Sequence, residues 1–256
     1  MKTNVVILGC GPAGLAAAAA VIHSGRECVI VSNTSQPSRL YGCQYLHAPV
    51  PGYEYAPKTQ VGYWLIGTPE EYRRKVYGDK WEGKVSPEDF VGVHDAWDIR
   101  TTYRHMWNEL ITGNLVWLHE EPDIRDGILP DFVFALRPEK IISTIPAPAL
   151  CLKDHKFTYH TIYASGSTSQ KPFDENEIIC DGTAQHPWYR ISRVFGYQTI
   201  EWATAPETRE PHAAVPKPLE TDCDCYPEIA RVGRYGKWQK SALVHEVYPE
   251  VKRLLA

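Results

Sequence analysis

Residues Gly9-Cys10-Gly11-Pro12-Ala13-Gly14 place three glycines at G-x-G-x-x-G spacing. A glycine at the first position permits a tight turn, and one at the second lets backbone approach a pyrophosphate. One at the third lets a helix pack closely against a strand. The unpaired N–H groups and positive end of the helix that follows would attract the phosphates. The ligand this pattern predicts is a dinucleotide, gripped by Gly9, Gly11, Pro12, Ala13 and Gly14. Three residues elsewhere could take part in catalysis. Arg190, beside Trp188 and Tyr189, could clamp a carboxylate or phosphate through its paired donors, or simply bridge two strands. His47, after Tyr45-Leu46, could act as a base, although a lone histidine is more often a structural hydrogen-bonder. Lys240, with Lys237, brings positive charge that would stabilise an anion, or else is a solvated surface charge. His245 and Glu246 read as packing or surface residues of a final helix.

The elements around the glycines strengthen the reading. Asn4 to Leu8 is an apolar run, as expected of a strand buried on both faces of a parallel sheet. Alanine-rich residues Leu15 to His23 predict a helix closed by Gly25, and Glu27 to Val31 predicts a second strand. Strand, glycine turn, helix and strand within about 30 residues is the context that gives the motif its force. Ser32 and Asn33 stand where an acid usually holds the ribose hydroxyls. They can still bond a hydroxyl, more weakly than a charge would.

Beyond this unit, Val61 to Ile66 predicts a strand and Pro69 to Tyr77 a short helix with proline at its start. Ser86-Pro87-Glu88-Asp89 reads as another helix start, Ile99 to Ile111 as a helix, and Leu115 to Leu118 as a strand. Asp154 to Ser169 and Ile178 to Cys180 are strand-like, and the proline-rich stretch 203–218 predicts an exposed rigid connection.

Composition narrows the function classes. The chain has 256 residues, 43% hydrophobic and 23% charged, ordinary values for a globular protein. No run reaches the roughly 18 apolar residues of a membrane helix, and the N-terminus lacks a leader pattern, so no membrane and a cytoplasmic location are expected. A formal net charge of −4 argues against strong non-specific nucleic-acid binding but leaves room for a local basic groove. The seven cysteines are scattered. Cys223-Asp224-Cys225 lacks the second ligand pair of a zinc site, so free thiols in a turn are expected and no metal. Eight tryptophans and fifteen tyrosines suit a pocket for a planar or sugar-like ligand as well as a core.

The opening unit resembles the flavoprotein superfamily that includes glutathione reductase, the amine oxidases and UDP-galactopyranose mutase. Arg39-Leu40-Tyr41-Gly42-Cys43-Gln44 sits where that superfamily runs a glycine-containing loop beside the flavin. Three more stretches resemble its amine oxidase and mutase branch. Lys140 to Pro148 resembles a later strand ending in Thr-x-Pro, with Thr144 and Pro146 over the cofactor. Pro187 to Ser192 with Thr199 to Trp202 resembles strands near the substrate face. Val232 to Trp238, leading into a helix-like run from Ser241, resembles the segment that returns to the flavin. The resemblance implies FAD as cofactor, contacted by Ser32, Asn33, Arg39, Gly42, Gln44, Thr144, Pro146, Gly233, Arg234, Gly236, Lys237, Trp238 and Gln239 as well as the opening turn. It implies an α/β fold: a Rossmann-like FAD-binding domain of parallel sheet and helices (1–47, 99–158 and 219–256) with a small α+β substrate or cap domain (48–98 and 159–218).

The resemblance implies an enzyme that oxidises an amine or amino-acid group and cleaves its C–N bond, with a small molecule or a modified base as substrate. The stretches Gly42 to Pro49 and Arg231 to Trp238 further resemble short phage-type FAD-dependent lyases acting on a glycine-bearing thymine, which would make DNA a partner. A redox-neutral mutase-like reaction on a nucleotide sugar and a non-catalytic flavin-binding subunit are the alternatives. The sequence leaves oligomeric state open.

Overall fold

Unbroken apolar runs become the central strands of a parallel sheet. In the computed structural model, which describes residues 4–79, 83, 90–121, 131–166, 174–207 and 213–256, Val5–Leu8 forms β1 and Cys28–Ser32 forms β2. Every residue of both strands is buried. Trp117–Glu120 (β5), Lys140–Ser143 (β6) and Ile229–Arg231 (β12) complete a five-stranded sheet in the order β12-β6-β1-β2-β5, with every pairing parallel. Helix α1, Pro12–Ile22, connects β1 to β2. Its residues Leu15 to Val21 are wholly buried, because α1 packs between this sheet and helices α3 (Ile99–Met106) and α6 (Val244–Leu255). Alanines on nearly every face let those neighbours come close, as a helix apolar all round requires.

The second sheet is mixed and has seven strands. It contains β3 (Lys58–Ile66), β4 (Gly92–Trp97), β7 (Phe157–Gly166), β8 (Glu177–Asp181), β9 (Arg190–Val194), β10 (Tyr197–Trp202) and β11 (Ala213–Thr221). Their order is β11-β7-β10-β9-β8-β3-β4; β3 and β8 run parallel and the other neighbours antiparallel. Helix α2, Pro69–Tyr77, begins with a capping box between Thr68 and Glu71. The fold is thus α/β with a Rossmann-like parallel sheet and a second, mixed sheet. Strands β7 and β11 each cross one of the boundaries drawn from sequence at 158/159 and 218/219.

Two expectations change. The stretch 203–218 is not a connection throughout, since residues 213–221 form the edge strand β11, paired with β7 alone. An edge strand tolerates Pro216 and Pro218 because one side of its ladder needs no donors. The helix expected over Ile99 to Ile111 is α-helical only to Met106 and continues as a π-helical turn, Trp107–Thr112. The helix start expected at Ser86 to Asp89 lies outside the described residues. No helix of the described residues is long and apolar enough to cross a membrane.

Candidate functional site

The three glycines of the opening turn do different work. Gly9 has φ +100°, and a Cβ there would sit 2.7 Å from Thr144 Oγ1. A Cβ on Gly14 would collide with the carbonyl oxygen of Gly9. On Gly11 it would meet nothing within 4 Å, so the space over this residue is open. Helix α1 starts there with Pro12, which has no N–H, and without a side-chain cap. Its first N–H groups are left for an outside acceptor. An open approach and an uncapped helix end fit a pyrophosphate.

At the end of β2 the neutral Ser32 is buried, and its hydroxyl donates to Cys10 Sγ at 3.2 Å. Asn33 is exposed. In the sheet register Ser32 lies level with Glu120 of β5, an exposed carboxylate. Burial pushes the Cys10 thiol up; the Ser32 bond opposes this and the Glu120 charge adds to it. A carboxylate thus stands beside the acid-free end of β2, on the neighbouring strand. Residue spacing could not reveal this, because it depends on which strand lies next to β2.

The C-terminal segment returns to the same place. Val232 N–H donates to Ser143 O at 2.9 Å, joining the chain after β12 to the end of β6. Gly233 follows at φ +70°, where a Cβ would stand 3.0 Å from Ala13 Cβ. Helix α5, Gly233–Lys237, then passes so close to Ser143 that a Cβ on Gly236 would strike its carbonyl. Thr144 N–H and Oγ1 both donate to Leu8 O, at 2.9 and 2.8 Å. Pro146 is exposed and precedes a 3₁₀ turn at Ala147–Leu150. Ser143 Oγ is buried with no partner among the described residues. Opening turn, β6 terminus and returning tail thus meet around Ala13.

Other residues expected at a cofactor are occupied in specific ways. Lys237 pairs with Glu250 of α6 at 2.7 Å. Trp238, left-handed at φ 53°, donates its indole N–H to Thr158 O at 3.0 Å. Gln239 is exposed, and its backbone N–H donates to Arg234 O. Gln44 donates its amide to Tyr41 O at 2.5 Å, and Arg100 donates to the carbonyls of Gly42 and Gln44.

A charged cluster stands on the second sheet. Glu201 of β10 is completely buried. It accepts from Cys43 N–H at 2.7 Å, Tyr189 OH at 2.8 Å and Arg190 Nε at 2.8 Å, with a further short bond from the same guanidinium. Burial alone would raise its carboxyl, but Arg190, Lys217 and the Cys43 and Tyr189 bonds hold it below the usual carboxylate range. Lys217 of β11 is pushed down to about 8 by burial, against the pull of Glu201 and with the push of Arg234 and Arg190. Its register partner on β7 is His160. Burial, helped by Lys217 and Arg190, lowers His160 to about 4, so its ring is neutral near pH 7. Nδ1 of that ring is buried with no hydrogen-bond partner among the described residues. The Tyr77 ring lies 4.7 Å edge-on from His160 and 4.7 Å beneath Lys240 Nζ. Burial also lowers Arg234, whose charge acts on Lys217.

Of the three catalytic candidates, Arg190 bridges β9 and β10 through Glu201, and Lys240 joins the cluster through Tyr77. His47 is exposed and lies elsewhere, 4.7 Å from the Tyr45 ring and 5.7 Å from His245. Sequence reasoning passed over Lys217, His160, Glu201 and Tyr77. A charged residue within the apolar Thr199-Ile200-Glu201-Trp202 strand was a usable signal for Glu201. The flanking prolines concealed Lys217.

Next to the cluster a groove of about 1030 Å³ opens between residues 37–42, α3 with its π-helical turn, and the ends of β7 and β10. Arg39, Arg100 and Arg104 line it together with Tyr41 and Tyr197. The Arg100 guanidinium stacks over Tyr197 at 4.2 Å. Gly42 connects groove and cluster: it lines the former, and its φ of +79° brings its backbone against the Glu201 carboxylate.

No family model matches the chain, and no curated protein matches it in sequence. Solved structures share its fold. p-Nitrophenol 4-monooxygenase PnpA from Pseudomonas putida DLL-E4 aligns at TM-score 0.57 and 10% identity, covering 99% of this chain and 79% of that one. 2-Methyl-3-hydroxypyridine-5-carboxylic acid oxygenase in its tetrameric form aligns at 0.54 and 12%, covering 99% and 87%. RebC with bound 7-carboxy-K252c aligns at 0.51 and 12%, covering 100% and 61%. The shares of the matched chains spanned by this one include values as low as 48%, for a peptidyl tryptophan dihydroxylase. At 10–12% identity these likenesses show a shared fold. These structures do not support the narrower resemblance to the amine oxidase and mutase branch or to the phage-type lyases.

Proposed function

We propose that this chain is a FAD-dependent enzyme that oxidises the amine of an anionic, amino-acid-bearing substrate, in its narrowest form a thymine base carrying glycine in DNA. The observation that carries the reading is the meeting of Lys217, Arg234 and His160, whose Nδ1 is without a partner among the described residues, next to the tail that packs on Ala13. When bound, FAD supplies the acceptor for a hydride. Arg234 is suited to hold a substrate carboxylate as a charged donor. Lys217, neutral in part near its value of about 8, can take the proton from the substrate nitrogen. His160, neutral, offers one hydrogen bond without adding charge.

The balance is simple. The glycine α-carbon loses a hydride and its nitrogen a proton, leaving a C=N bond. Water adds to that bond and the C–N bond breaks, releasing an aminomethyl base and glyoxylate. FAD held by the opening turn and the returning tail would take up that hydride, with dioxygen or a partner as the final electron acceptor. Arg39, Arg100 and Arg104 beside Tyr41 and Tyr197 support a nucleic-acid approach, with cations for phosphates and rings for a displaced base. The overall charge of −4 confines that attraction to the groove.

A second reading is aromatic hydroxylation, favoured by the oxygenase identity of the fold relatives. One experiment separates the two. The chain is loaded with FAD, giving bands near ~370 and ~450 nm, and mixed without air with an oligonucleotide bearing glycyl-thymine. Bleaching, with aminomethyluracil and glyoxylate after readmission of air, is the expected result. Incorporation of an atom from ¹⁸O₂ into the product would favour hydroxylation. Failure to retain FAD would overturn both.

A further inference from the structure

Outside the charged cluster, four ligand atoms converge from two chain crossings. Cys151 and His155 lie on the passage from β6 to β7, and Cys223 and Cys225 on the passage from β11 to β12. Their sulfur and ring-nitrogen atoms all lie within 4.8 Å of one another. The pair that Cys223-x-Cys225 lacks in sequence is thus provided some 70 residues earlier in the chain, by Cys151-x-x-x-His155.

We propose that these residues form a tetrahedral zinc site of three thiolates and one imidazole. Zinc bonds of about 2.3 Å to sulfur and 2.0 Å to nitrogen, at tetrahedral angles, set neighbouring S and N ligands roughly 3.5 Å apart. His155 Nδ1 stands 3.3 Å from Cys151 Sγ and 3.5 Å from Cys225 Sγ. Cys151 Sγ donates to Lys153 O at 2.7 Å and would give up that proton on taking a metal, whereas donors are already aimed at the sulfurs of Cys223 and Cys225. Leu152 N–H donates to Cys225 Sγ at 3.3 Å, and the Arg231 guanidinium donates to Cys223 Sγ at 3.5 Å while also bonding Cys225 O at 2.8 Å. One arginine opposes the net negative charge that three thiolates and one imidazole leave on a divalent ion. On the far side of the ring, His155 Nε2 faces Asp224 Oδ1 at 3.4 Å. A carboxylate behind a ligating histidine fixes its tautomer and raises its basicity. The sulfur-rich donor set selects zinc over magnesium or calcium.

The site's position gives it a structural role. Both crossings run between the two sheets, so the ion would bind the β6-to-β7 passage to the β11-to-β12 passage. Strand β12 leads directly into α5, and β7 carries His160.

The full chain purified from zinc-replete cells is analysed for metal by mass spectrometry, and the reduced, stripped chain is titrated with Co²⁺. Expected are stoichiometric zinc that survives dialysis, and a Co²⁺ spectrum with thiolate charge transfer and tetrahedral ligand-field bands. Asp224→Asn is expected to weaken zinc binding about tenfold or more, and Cys223→Ser to abolish the charge-transfer signature of a closed three-thiolate set. A reduced chain that takes up neither zinc nor Co²⁺, a native disulfide among Cys151, Cys223 and Cys225, or iron in place of zinc would overturn the assignment. The wild-type titration decides the matter even if Cys223→Ser fails to fold.

Discussion

Glu201 and Cys43 are joined across 158 residues: the backbone N–H of the cysteine donates to the glutamate carboxylate at 2.7 Å. The bond fastens the loop after β2, on the dinucleotide side, to the interior of the second sheet. Because Arg190 answers the same carboxylate, removing one partner leaves a buried charge exposed to nothing. Glu201→Ala is expected to cost about 3–5 kcal/mol, while Glu201→Leu with Arg190→Met recovers most of it. Urea denaturation of the wild type and the two variants measures both effects; a double variant no more stable than Glu201→Ala would refute the coupling.

Acid should weaken the fold in two stages. His160 has a folded value of about 4 against an ordinary 6.5, so its neutral form is favoured by folding. That contribution is complete above pH 6.5 and is lost as pH falls towards 4. Glu201 is held below its ordinary value of 4.5, so its contribution is complete above that pH and declines further below. Melting temperature should begin to drop near pH 6.5, and His160→Gln should delay the onset. A flat profile down to pH 5 in the unaltered protein would contradict this.

The glycines of the opening turn can be separated by one methyl group each. Gly11 has φ −68° and open space, so Gly11→Ala should fold normally yet lose flavin, because the methyl enters the room left for phosphate. Gly14→Ala drives a carbon into the Gly9 carbonyl and should lose about 3 kcal/mol of stability whether or not flavin is present. Thermal melts and bound-flavin absorbance distinguish the outcomes.

Glu120 is expected to serve the adenosine ribose. Glu120→Ala should weaken FAD about tenfold, the value of one charge-assisted hydrogen bond of about 1.5 kcal/mol, and leave melting of the flavin-free chain unchanged. Fluorescence titration with FAD checks it. An unaltered affinity would return the role to Ser32 and Asn33.

If Lys217 accepts the substrate proton, the rate should climb as pH rises through about 8. Lys217→Arg keeps the charge but does not titrate there, so that limb should vanish and kcat should fall more than KM rises. The folded value below 10.5 also means folding disfavours the charged lysine. Stability should therefore improve modestly as pH rises from about 8 towards 10.5, other groups being equal.

Local periodicity revealed much of this. The run Val5 to Leu8, the glycine turn and the alanine helix announce a strand, turn and helix within contiguous residues, and α2 falls at Pro69–Tyr77, the span predicted with proline at its start. What stayed hidden depends on strands remote in sequence. Glu120 comes level with Ser32 because β5 lies beside β2, Lys217 with His160 because β11 lies beside β7, and Cys151 reaches Cys225 because one crossing passes the other. Prolines 216 and 218 misled because chain stiffness and a one-sided ladder favour the same residue.

The contact of Gly233 with Ala13 sets an order of events in the cell. A ribosome has to deliver the chain past β12, Ile229–Arg231, before that strand can dock and the glycine turn acquires its cover. A fragment ending ahead of residue 229 therefore lacks this closing piece, whatever its earlier segments manage to build.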